Sequence, residues 1–134
     1  MKQVNDFTRL LSGFLNNYLP HEKGVSANTI KSYSYTFILF IKFMHENRNV
    51  PATKLSFTHL KKDLVVGFLD WLQKDRGCGE ATRNQRLAAL SSFIKYAEYM
   101  NPGHLYDCNE ILSIPAKKTE SKTEYKPVIE EIVQ

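Results

Sequence analysis

Two stretches of this 134-residue sequence carry side chains suited to holding a phosphate backbone or the edge of a base. "SANTIKSYSYTFILFIKFM" (26–44) and "GEATRNQRLAALSSFIKYA" (79–97) share one layout: a small residue, a threonine, a basic and polar turn, then an aromatic and aliphatic run. At about 100° per residue, Asn28, Lys31, Ser32, Tyr35 and Lys42 fall opposite the apolar seam of the first stretch. Asn84, Gln85, Ala88, Ser92 and Lys95 fall opposite that of the second. Neither face holds a carboxylate. Lysine and arginine reach phosphate by charge, asparagine and glutamine offer a paired donor and acceptor, and serine and threonine add short hydroxyls. Ala88, Ser91 and Ser92 leave room for a backbone or a phosphate to come close. An ordinary solvated face has the same composition, and composition does not decide between the two.

Other chemistry is sparse. His21, His45, His59 and His104 lie in four separate segments, and Glu22, Glu80 and Glu98 are equally isolated, so no nucleophile, base and stabiliser converge in the sequence. There is no glycine-rich phosphate loop and no HExxH string. Cys78 and Cys108 form no CxxC pair and are too few for a disulfide framework. His104 and Cys108 make at most half a metal site, so two reduced thiols and no metal or cofactor are expected. The net charge of +4 and the pI near 9.0 allow an acidic partner without establishing one.

The elements that position these residues are helices, because apolar residues recur at three and four nearly everywhere. The first is expected over 4–19, with Phe7, Leu10, Leu11, Phe14, Leu15 and Tyr18 inward and Pro20 with Gly24 as its stop. The second opens on Ser26 or Asn28 as cap and ends near Glu46, with Ile30, Tyr33, Phe37, Phe40, Ile41 and Met44 as its seam, which leaves Ile38 and Leu39 outside. The third begins at Ser56 or Thr58, runs to Lys74, and buries Leu60, Leu64, Phe68, Leu69, Trp71 and Leu72 before the "DRGCGE" turn. The fourth spans 80–100 with Leu87, Leu90, Phe93, Ile94 and Ala97 inward, and a short helical turn fits 106–112. No alternating strand pattern occurs, so the fold class is all-α. From Pro115 the lysine-rich, apolar-poor texture reads as exposed linker, which divides the chain into a helical domain over 1–116 and a linker with the start of a further element over 117–134. No apolar run is long enough for a bilayer and the amino terminus lacks a signal-peptide layout, so a cytoplasmic protein is expected.

Taken in order, "FTRLLSGFLNNYL", "NTIKSY" with "FIKFM", "DLVVGFLDWL" and "ATRNQRLAALSSFIKYA" resemble the amino-terminal core-binding domain of tyrosine recombinases, the SAM-like domain of the phage integrase family, over 7–116. The resemblance implies a four-to-five-helix SAM-like orthogonal bundle that forms half of a clamp, with its second and fourth helices across the major groove of a recombination core site. Carried over by position, Asn28, Thr29, Lys31, Ser32 and Tyr35 line the groove from the second helix. Thr82, Arg83, Asn84, Gln85 and Arg86 do so from the fourth, with Lys95 further along and Lys117 and Lys118 as weaker phosphate contacts from the linker. Arg83 projects near the inward seam and reaches phosphate only by curling around the helix end. The implied partners are double-stranded DNA and other recombinase protomers. The family's catalytic arginines, lysine, histidines and nucleophilic tyrosine belong to the domain after the linker, so this chain is expected to be a non-catalytic part of a larger recombinase. The alternative is a helical protein–protein interaction module, for which Ile38 and Leu39 on the outside of the second helix are the argument.

Overall fold

Phe7 and Leu10, one turn apart, anchor the opening helix α1 (Asp6–Gly13) of the computed structural model, which describes residues 6–102 and 107–118. The helical path does not stop before Pro20. It passes into a π-helix, Phe14–Glu22, that contains the proline. In an α-helix the Pro20 ring would press on the carbonyl four residues back. The wider π turn, with its i→i+5 bonding, relieves that contact and moves the end of the element to Lys23, whose N–H bonds the Tyr18 carbonyl at 2.8 Å. Gly24, at φ +68°, then lets the Val25 N–H turn back to the Leu19 carbonyl at 2.8 Å.

α2 (Ala27–Arg48) is capped by Ser26, whose hydroxyl accepts from the Thr29 N–H at 3.2 Å. It closes on Asn49 in the left-handed region at φ 57°, with the Val50 N–H bonded to the Met44 carbonyl at 3.0 Å. The expected seam is present, and it is broader than expected. Leu39 is buried, whereas Ile38 stays 59% exposed. Leu39 therefore belongs to the core and not to an outer apolar patch.

Two 3-10 turns, Ala52–Lys54 and Phe57–His59, precede α3 (Lys62–Lys74). The Ser56 N–H donates to His59 Nδ1 at 3.1 Å, so Ser56 and His59 cap the second of these turns, and α3 begins later than either Ser56 or Thr58 would place it. Gly77 at φ +70° turns the chain into α4 (Glu80–Met100), and α5 (Cys108–Leu112) follows. Asp107 accepts the Lys62 N–H at 3.0 Å and ties the entry of α5 to that of α3. No strand occurs among the described residues, and the helices form the SAM-like bundle expected.

The core is aromatic at its centre. Phe93 of α4 meets Phe7, Phe14 and Phe37 at ring separations of 5.6, 5.4 and 5.3 Å, all near edge-to-face, the geometry that aromatic quadrupoles favour. Each buried phenylalanine contributes on the order of 1.5–3 kcal/mol of transfer free energy. α1, α2 and α4 are thereby fixed to one another around a single ring. Among the described residues no helix is long and apolar enough to cross a membrane, and no three His, Cys, Asp or Glu side chains gather as metal ligands. His104, and the part of the linker beyond Lys118, lie outside the described residues.

Candidate nucleic-acid interface

Arg86 joins the two polar stretches. From the second turn of α4 its Nη1 lies 3.4 Å from the Ser32 carbonyl, the Ser32 hydroxyl and the Thr36 hydroxyl, and its guanidinium sits 5.1 Å over the ring of Tyr35. Contacts of that length are individually weak, and together with the ring they hold the guanidinium between the helices. Thr36 is wholly buried and donates to the Ser32 carbonyl at 3.2 Å, a polar group satisfied along its own helix.

This junction brings the amino-terminal halves of α2 and α4 side by side. Between them runs an open groove of about 310 Å³ lined by Asn28, Thr29, Ser32, Tyr33, Gln85 and Ala88. Ala88, with only a methyl group, leaves the groove open on the α4 side. Lys31 is exposed on the preceding turn and Tyr35, 43% exposed, follows it. The lining holds amide, hydroxyl and phenol groups and no carboxylate. The first turn of α2 adds the partial positive charge of its unsatisfied N–H groups.

The other expected site residues are placed differently. Thr82 is half-buried in the first turn of α4. Arg83 is only 6% exposed, and its Nη1 donates to the Pro115 carbonyl at 3.0 Å and to Asn84 Oδ1 at 3.2 Å. Asn84 spends both ends of its amide on Lys117: Nδ2 donates to the Lys117 carbonyl at 2.7 Å, and Oδ1 accepts the Lys117 N–H at 2.9 Å. Lys117 in turn donates from Nζ to Gln73 Oε1 at 2.8 Å, while Lys118 is exposed. Pro115 and Lys117 are thus held against α3 and α4. Lys95 lines a different cavity, of about 430 Å³, with Tyr18, Glu22, Lys23, Ser92, Tyr96 and Tyr99. Burial, with the nearby Glu22 and Tyr18, pushes the Tyr96 hydroxyl above its ordinary pKa of 10.0.

Helical periodicity finds Asn28, Ser32, Gln85 and Ala88 of the groove but not Tyr33, which it assigns to the seam, nor the Arg86 junction or the strap at 115–117. Thr36 is a signal in hindsight, as a single hydroxyl inside "YTFILF" one turn from Ser32.

Residues 11–100 match the family described as phage integrase, N-terminal SAM-like domain. The chain belongs to that family. Among its relatives, an integrase/recombinase of Sinorhizobium fredii is 35% identical over 109 residues, 81% of this chain and 33% of that protein. The tyrosine recombinase XerC of Caldanaerobacter subterraneus is 29% identical over 100 residues, 65% of this chain and 28% of the relative. The tyrosine recombinase XerD of Listeria innocua is 34% identical over 91 residues, 65% of this chain and 27% of the relative. The chain therefore spans roughly a third of the length of the curated relatives it matches. No solved structure gives a significant match. The phage integrase match covers α2, α3 and α4 entire, and with them both walls of the groove.

Proposed function

We propose that this integrase-family domain binds double-stranded DNA through the amino-terminal halves of α2 and α4, with sequence preference, as the core-binding part of a tyrosine recombinase acting in DNA integration or recombination. The observation that carries the reading is the groove in which Asn28, Thr29 and Ser32 of one helix face Gln85 of the other, with no acid among them and Lys31 beside it. An α-helix with its side chains is about 10–12 Å across, which suits a major groove about 12 Å wide. Lys31 supplies phosphate attraction, Asn28 and Gln85 can pair with base edges, and Tyr35 carries a ring and hydroxyl at the rim. Burial of Leu39 removes half of the apolar patch that argued for a protein partner. Chemistry on the DNA falls to the remainder of a longer recombinase, and other protomers are the further partners. A covalent protein–DNA adduct formed by this chain on a nicked core-site substrate would overturn the non-catalytic part of the reading.

The decisive measurement is duplex affinity across a salt series. Phosphate contacts make log affinity fall by about 0.9 per contact per log unit of salt, and a protein-docking surface produces no such slope. Lys31→Ala should lower affinity for all duplexes and reduce the slope by about one contact. Gln85→Ala should cost about 1–3 kcal/mol on the preferred site and relax preference at one base pair. Both variants should keep the helical circular dichroism of the parent. Unchanged affinity and slope in both removes α2 and α4 from the interface.

A further inference from the structure

The hydrogen bonds at the amino-terminal end of α4 assign a role that groove contact does not require. We infer that Asn84 and Arg83 are positioning residues for the chain that leaves the bundle, holding residues 115–117 across the first turns of α4 and fixing the direction of exit toward Lys118. Four observations converge on this. Asn84 grips the Lys117 backbone at two points, the N–H and the carbonyl, at 2.9 and 2.7 Å, as a neighbouring strand would. The Arg83 guanidinium, 6% exposed, bonds the Pro115 carbonyl at 3.0 Å. Proline has no N–H to give, and its carbonyl is the one strong group it brings to the backbone ladder. The Lys117 ammonium reaches across to Gln73 at the end of α3, at 2.8 Å. Ile111 and Ile114, buried just upstream, set the register in which the strap arrives.

Three side chains from two helices thus grip Pro115 and Lys117, and those of Arg83 and Asn84 bond backbone atoms, so they fix the path of the chain irrespective of the side chains it carries. An asparagine amide committed at both ends to the backbone of one residue has little left for a base edge. Arg83 enclosed behind the strap is likewise removed from phosphate. The inference stands whether or not the groove binds DNA, and its first test contains no DNA.

Amide exchange of the Lys117 N–H, followed by NMR in the full chain, reads the anchor directly. In the parent the N–H should be protected. Asn84→Ala should speed its exchange about tenfold, the loss expected for one hydrogen bond of ordinary strength, while amides of the α4 core such as Phe93 are unchanged. Asn84→Asp keeps the acceptor for the N–H and should retain most of the protection, which a nonspecific loosening of the helix end would not do. Adding a mixed-sequence duplex to saturation at low salt should leave Lys117 protected, because the strap and the DNA face use different side chains. Equal exchange at Lys117 in the parent and in Asn84→Ala overturns the assignment. Loss of protection on duplex addition does so too, by showing that Asn84 leaves the strap for DNA.

Discussion

Arg86 was expected among the DNA-contacting residues only by position in the family, and its guanidinium turns to α2 and meets Ser32, Thr36 and Tyr35 at once. That arrangement needs a planar fork that can donate and stack together, which a lysine ammonium does not supply. Arg86→Ala should lower stability by about 1–2 kcal/mol, and Arg86→Lys should recover little of it, as read from urea midpoints at constant m-value. Recovery to the parent midpoint in the lysine variant would show that charge alone suffices at the junction. Thr29 came only from the family resemblance, whereas Asn28, Ser32 and Gln85 were legible from sequence because their position depends only on the pitch of their own helix. Arg83 and Asn84 were not, because what they hold arrives from more than thirty residues away and nothing in the local pattern announces it.

At the scale of elements, α4 matches its expected bounds because both ends are written in the chain, with Gly79 before it and "NPG" after. α1 does not, because the usual effect of Pro20 was overridden by a change of helical register that no single residue specifies. α2 carries its own instructions at both ends, and they can be tested in opposite directions. Ser26→Ala removes the acceptor for the Thr29 N–H and should cost about 1 kcal/mol. Asn49→Gly relieves a left-handed φ of 57° and should be neutral or stabilising by up to about 1 kcal/mol. Thermal midpoints of the two variants should therefore move apart. A drop in both would mean that the Asn49 side chain contributes more than its backbone conformation requires.

Across the whole molecule the all-α class was legible because every long segment shows the helical period, whereas the Trp71 cluster and the polar groove sit at different stretches of α2. The relation between the two regions was not legible, since it depends on how α2 and α4 cross. Trp71, the one tryptophan of the chain, gives that separation an optical signature. Its indole is 8% exposed, packs on Phe43 and Phe68 at 5.5 and 6.1 Å, and has the Arg76 guanidinium 5.5 Å over the ring. Phe43 lies fourteen residues along α2 from Thr29, roughly 20 Å at helical rise. Trp71 should therefore emit at short wavelength in the native protein, shift to the red on unfolding, and remain unchanged when duplex DNA is added. Quenching by DNA would move the contact surface to α3. A constant emission makes this indole a colour that reports the fold and is blind to the ligand, so stability of the domain can be followed in the presence of DNA without a label.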